Sequence, residues 1–146
     1  LVSNNEIQTQ GMRINIIILT IGLGISALLL TRCDQTTYKQ GELLYVKFCS
    51  NCHSEDGKGL KALIPPLAGA DYLKQHQDEL ACIIKHGISS KIKVNGVEFE
   101  QPMPGVPQLS DFEITNIINY INQAWANDYG YVKIANVRKS LKSCDK

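Results

Sequence analysis

A chain of 146 residues, 44% hydrophobic and 20% charged, has the size of one globular domain with short extensions and is too apolar for a disordered polymer. Its 15 basic residues against 14 acidic ones leave a formal charge of +1, which excludes the basic footprint of a nucleic-acid binder. Setting aside residues 1–32, which hold Arg13, Arg32 and Glu6, leaves 13 charges of each sign and a formally neutral remainder.

Residues 1–11 are polar and unpatterned, and are expected to be an upstream segment or a disordered tip before Met12. From Met12 a single positive charge, Arg13, precedes the charge-free apolar run 14–30. A run that is hydrophobic on all sides and lies near one end reads as an export signal or anchor rather than a buried core helix. Its 17 residues stand at the lower limit for spanning a ~30 Å hydrocarbon layer. The run ends at Cys33, and Leu-Leu-Leu-Thr-Arg-Cys33 resembles a bacterial lipoprotein signal, in which the cysteine is lipidated and becomes the mature N-terminus. Arg32 stands where that family has a small residue, so lipidation at Cys33 and an uncleaved helix are both kept. Either one would tether the remaining domain, residues 34–146, at the outer face of a bacterial cytoplasmic membrane, facing the periplasm.

Residues 36–48 place Tyr38, Gly41, Leu44, Tyr45 and Phe48 at helical spacing, which predicts an amphipathic helix. It runs into Cys49-Ser50-Asn51-Cys52-His53, the Cys-x-x-Cys-His arrangement of covalent c-type haem attachment. Two thiols three residues apart on one helical turn can add to the two vinyl groups of a planar porphyrin, and the adjacent imidazole then points at the iron. Zinc and thioredoxin-like chemistry also use Cys-x-x-Cys. Zinc would need two further ligands from His76, His86, Cys82 or Cys144, which show no paired spacing, and the redox pair would want a βαβ setting that is missing.

A glycine-marked loop, 54–69, leads to a predicted helix from about residue 71 to 86, with Leu73, Leu80, Ile83 and Ile84 inward and Gly87 as its stop. Residues 92–99 alternate around Asn95-Gly96 and predict a type I′ hairpin before a proline-rich loop. Ser110 followed by Glu113 is a capping box for a helix whose stripe is Ile114, Ile117, Ile118 and Ile121, expected to cross the first helix. Tyr131, Ile134, Val137 and Leu141 predict a short, Lys-rich final helix. Cys82 and Cys144 could bridge in an oxidising compartment, or stay as a buried thiol and a reactive terminal one.

Residues 38–122 resemble class I, monohaem cytochromes c. Gly41-x-x-Leu44-Tyr45-x-x-x-Cys49 is similar to that family's first helix entering the haem motif. Pro65-Pro66-Leu67-Ala68-Gly69 is similar to its Pro-x-Leu-x-Gly loop, and Leu109-Ser110-Asp111-x-Glu113-Ile114 with Tyr120-Ile121 to its last helix. The hairpin, the Pro102-Met103-Pro104 loop and Trp125-Ala126-Asn127 look like a bacterial subgroup with Trp-Gly-Asn there, Ala126 replacing the glycine. The resemblance implies an all-α cytochrome c fold, about four helices around one haem, with a short β-hairpin before the methionine loop.

It further implies that His53 is the proximal iron ligand and that the Pro65 carbonyl, or Pro66 with a shift of one, accepts the proton of its imidazole. Met103 is expected on the other side of the iron; Met12, in the signal region, is its only competitor among methionines. His86 is the alternative ligand, with a cationic role at a helix end as its plain reading, and His76 is expected to meet water. Tyr45, Phe48, Leu67, Leu80, Ile83, Phe99 and Ile118 are expected to form an apolar pocket, and Trp125 either covers a haem edge or packs at a helix end.

The function expected is a single-electron carrier with one covalent haem c in a periplasmic respiratory chain. Ser50, Lys58 and Lys61 would ring its exposed haem edge and dock on redox protein donors and acceptors, the membrane respiratory complexes. No small-molecule substrate is expected. The alternatives are a haem subunit of a larger membrane oxidoreductase, and an enzyme or gas sensor with an open iron site.

Overall fold

The computed structural model describes residues 38–144. The expected tip, the signal or anchor and Cys33 lie outside the described residues. The described chain forms α1 (Lys39–Phe48), α2 (Ser50–His53), α3 (Asp71–Gln75) and α4 (Leu80–His86), then the strands β1 (Gly87–Ile88), β2 (Ile92–Val94), β3 (Val97–Phe99) and β4 (Met103–Pro104). It continues as α5 (Asp111–Gln123), a 3-10 turn (Ala124–Ala126) and α6 (Ile134–Lys142).

Six α-helical segments and two small sheets replace the expected four helices and single hairpin. One expected helix is divided, and the haem motif adds a turn of its own, each for a local reason. The helix expected over 36–48 forms as α1 and ends at Phe48; Cys49, whose φ of −122° lies outside the helical range, separates it from the turn α2. The second, expected over 71–86, is interrupted at residues 76–79, where the Gln77 side chain takes the Leu73 carbonyl that a continuing helix would use, while the Tyr72 carbonyl still accepts the His76 N–H at 3.0 Å. His76 Nδ1 bonds the Tyr72 carbonyl at 2.9 Å, and Gln77 Nε2 donates to the Leu73 carbonyl at 2.7 Å. The His76 ring also stacks on Tyr72 with centroids 3.8 Å apart, so it is half-covered rather than simply solvated.

The two longest helices, α1 and α5, pack across each other and seat the core. Ser110 caps α5 by accepting from the Glu113 N–H while the Glu113 carboxylate accepts from the Ser110 N–H, the reciprocal box expected from the sequence. One turn-spaced face of α5, Ile114, Ile117, Ile118 and Ile121, is buried, as are Leu44 and Tyr45 of α1. Gly41 lets the helix backbones meet, because a Cβ there would lie 2.1 Å from the Asn116 carbonyl oxygen.

The hairpin forms as expected, with Val94 opposite Val97 and both turn residues at positive φ, Asn95 at 50° and Gly96 at 83°. Asn95 Oδ1 accepts from the Asp71 N–H at 3.0 Å while Asp71 Oδ1 accepts from the Asn95 N–H at 2.7 Å, pinning the turn to the start of α3. A second pairing, β1 with β4, sets Ile88 opposite Met103 and Gly87 opposite Pro104.

After the 3-10 turn the chain is held by buried amides. Asn119 exchanges two hydrogen bonds with the backbone of Val132, and Asn127 Nδ2 donates to the carbonyls of Leu67 and Ile121. Asn122 and Gln77 pair amide to amide. Cys82 on α4 and Cys144 beyond α6 are joined as a disulfide, with Cα atoms 5.5 Å apart and a sequence separation of 62. Closing so long a loop is worth about 4 kcal/mol in the chain-entropy model. Guanidinium unfolding of the Cys82→Ser/Cys144→Ser double variant should therefore show a loss of about 2 to 4 kcal/mol; an unchanged midpoint would mean that the bridge constrains nothing.

Candidate functional site

The site grows from the end of α1. Cys49 N–H donates to Tyr45 O at 2.8 Å and His53 N–H to Cys49 O at 2.9 Å, so the short turn of α2 carries Cys49, Cys52 and His53 together into one cavity. Both cysteines of this turn are thiols, Cys49 half-buried and Cys52 exposed. Burial pushes the Cys49 thiol up to about 11, with the neighbouring Cys52 adding to the effect.

His53 is buried, at 6% exposure, and its Nδ1 lies 3.1 Å from the Pro65 carbonyl oxygen. A carbonyl can only accept, so Nδ1 carries the proton and Nε2 keeps a lone pair. Burial lowers the imidazole's pKa, against a smaller opposing effect of the Pro65 bond, which favours the neutral ring a metal needs. Of the two prolines considered, Pro65 makes this bond.

The cavity and its open mouth together hold about 1300 Å³ of space not filled by protein atoms. Six of the seven expected apolar wall residues line it: Tyr45, Phe48, Leu67, Leu80, Ile83 and Phe99. Ile118 does not. It is buried in the core, while Ile117 and Ile121, four residues apart and therefore on one helical face, supply the α5 wall. Met103 is half-buried and lines the same cavity as His53. It is brought there by the β1–β4 pairing, a two-residue contact with no periodicity from which sequence could have foretold it.

The other candidates fall away from the cavity. His86 is exposed at the end of α4 and lines no part of it. Trp125 does not line it either and is seen packing: its ring meets Tyr45 edge-on at 5.2 Å and Tyr120 at 5.7 Å, and its indole N–H donates to the Glu55 carbonyl at 2.9 Å. Among the described residues no three His, Cys, Asp or Glu side chains converge as a metal cluster, so the zinc reading of Cys49 and Cys52 has no partners there.

The donor set suits a large, flat, apolar iron complex held covalently: two thiols, one imidazole with a free Nε2 and one thioether in a mostly hydrophobic wall. A family model described as cytochrome c matches residues 38–125, more than half of the chain. The chain belongs to the cytochrome c family. It binds haem c covalently through Cys49 and Cys52, with His53 completing the motif.

Relatives include a cytochrome c-552 and cytochrome c subunits of a quinone alcohol dehydrogenase. Cytochrome c-552 of Thermus thermophilus is 32% identical over 91 residues, which are 60% of this chain and 69% of that protein. The cytochrome c subunit of a quinone alcohol dehydrogenase from Gluconacetobacter polyoxogenes is 35% identical over 98 residues, 65% of this chain but 21% of that subunit. The corresponding subunit from Gluconobacter oxydans is 29% identical over 102 residues, again 21% of its length. The chain thus spans about a fifth of each dehydrogenase subunit.

Proposed function

We propose that this electron carrier holds its iron between His53 and Met103 and works tethered, through its N-terminal segment, at the outer face of a bacterial cytoplasmic membrane. The observation that carries the ligand assignment is that His53, with Nε2 free, and Met103 line one cavity. Three other oxygen or sulfur groups of that wall are already engaged. Both cysteines are used for attachment, and the Tyr45 hydroxyl is committed to the Ser54 carbonyl at 2.6 Å, with its pKa raised chiefly by burial.

Haem c supplies a one-electron couple at its iron. The chain's residues tune and shield that couple. Pro65 fixes the orientation and tautomer of His53. A thioether such as that of Met103 favours a higher reduction potential than a second imidazole would. The apolar wall excludes water and so limits the rearrangement that accompanies a change of charge. At the surface, exposed Leu63 also lines the cavity, with exposed Leu60, Lys58 and Lys61 nearby in sequence; Lys58 pairs with Asp56 and Ser50 is half-buried, donating to the Val46 carbonyl. This rim would dock weakly on redox proteins that give and take the electron.

A second reading, a haem subunit held in a larger membrane oxidoreductase, is favoured by the likeness to the dehydrogenase subunits. Among the described residues no helix is long and apolar enough to cross a membrane, so the tether is assigned to the run 14–30 and Cys33. Extraction of the native protein with mild detergent should give a haem-staining chain from the membrane fraction with no stoichiometric companion. Recovery wholly in the soluble fraction would overturn the tether, and constant co-purification with oxidase or dehydrogenase chains would establish the second reading.

A further inference from the structure

We infer that Lys85 is a positioning residue for the methionine loop: from the last turn of α4 its ammonium group supplies hydrogen-bond donors to a proline-rich segment that lacks them, and so holds Met103 in the cavity wall. The inference rests on the reading of Met103 as the second iron ligand.

Residues 102–109 contain Pro102, Pro104 and Pro107, each without a backbone N–H, so the segment can offer few donors to any neighbour. Its carbonyls still need partners. Lys85 Nζ lies 2.6 Å from the Pro107 carbonyl oxygen and 2.6 Å from that of Leu109, and it donates to both. These are charge-assisted bonds, stronger than those between neutral groups. Leu109 is itself 1% exposed, so its carbonyl sits at the base of the loop where it enters α5.

The other end of the loop is fastened to the same helix end. Ile88 pairs with Met103 in the β1–β4 ladder, and the Val106 N–H donates to the Ile84 carbonyl at 2.8 Å. The backbones meet so closely that a Cβ on Gly105 would lie 2.4 Å from the His86 carbonyl carbon. The acidic group felt near Lys85 is Glu113, whose carboxylate is already engaged by Ser110. Lys85 therefore serves the loop carbonyls rather than an ion pair. Withdrawal of the thioether requires the loop to lift from α4, and the two Lys85 bonds oppose that motion.

An external ligand reads the lifted population directly, because its apparent affinity scales with the fraction of molecules whose site is open. Imidazole is titrated into the ferric holoprotein, full chain, of the wild type and of Lys85→Met, Lys85→Arg, Val137→Ala and Met103→Ala. Lys85→Met should bind imidazole at least about tenfold more tightly, the size expected for loss of charged hydrogen bonds, and Lys85→Arg should return to within about threefold of wild type. Val137→Ala removes buried volume from α6 without touching the cavity wall and should leave the affinity unchanged.

Wild-type affinity in Lys85→Met, or an equal rise in Val137→Ala, overturns the positioning role. If Lys85→Met does not accumulate as holoprotein, Lys85→Gln, which is shorter and uncharged, is judged by the same threshold. Met103→Ala separates the two readings. If it binds imidazole as wild type does, the ligand assignment has failed; if its affinity rises while that of Lys85→Met does not, only the role of Lys85 has failed.

Discussion

Replacing Met103 with alanine is expected to abolish the weak absorbance near the red end of the ferric spectrum that reports an iron to thioether bond. It should also open the reduced iron to carbon monoxide and lower the reduction potential, while haem stays bound through Cys49 and Cys52. The attachment should survive because both cysteines belong to the turn after α1, which is built on the Tyr45 and Cys49 carbonyls and not on the methionine loop. The potential should fall by on the order of 0.1 V or more, a modest part of the ~0.8 V range over which axial ligands move haem potentials. Replacing His86, which is exposed and outside the cavity, should leave the red band in place. The reverse pattern, with the band lost in the His86 variant and kept in the Met103 variant, would make the iron bis-histidine ligated and remove the high-potential carrier.

A large effect on folding is expected at Gly41. Alanine normally favours a helix interior over glycine by up to ~1 kcal/mol, so propensity alone predicts that Gly41→Ala stabilises α1. The crossing with α5 reverses the sign. The new methyl carbon would lie 2.1 Å from the Asn116 carbonyl oxygen and 2.7 Å from the Tyr120 Cβ, and the nearest obstacle is backbone that no rotamer change can clear. The two helices must separate, which should cost about 3 kcal/mol, at or above the usual range for overpacking. Gly69→Ala is the comparison: at φ +63° with nothing within 4 Å, it should lose only the ~1–2 kcal/mol of a left-handed alanine. Denaturant titrations of the two holoproteins test this. A Gly41→Ala loss under about 1 kcal/mol would show that the crossing can relax and that its closeness is not needed.

Much of the site was readable before any coordinate. Cys49, Cys52 and His53 carry their chemistry in their spacing, because all three sit within one turn and local geometry alone brings them together. The Asn95-Gly96 hairpin and the Ser110 and Glu113 cap were legible for the same reason, each being closed by bonds between neighbours in sequence. The helix break was harder. At residues 76–79 the interruption comes with the Gln77 side chain turning back onto the Leu73 carbonyl of α3, a local competition that apolar periodicity does not register. Among wall residues, Ile118 satisfied the same stripe as Ile117 and Ile121, since a stripe tells inside from outside and not which inner surface a side chain meets.

What the sequence determined by itself was therefore the chemistry that neighbours can build: the haem motif, the caps, the hairpin turn and the apolar faces that demand burial. Tertiary structure decided what depends on segments far apart in the chain. It set Met103 in the cavity through β1 and β4, joined Cys82 to Cys144, gave Trp125 a packing place against Tyr45 and Tyr120, and put Lys85 under the proline-rich loop. The physical reason is common to all four. Each is a contact of one or two residues at long separation, stabilised only once α1, α4 and α5 have packed, and so it leaves no periodic trace along the chain.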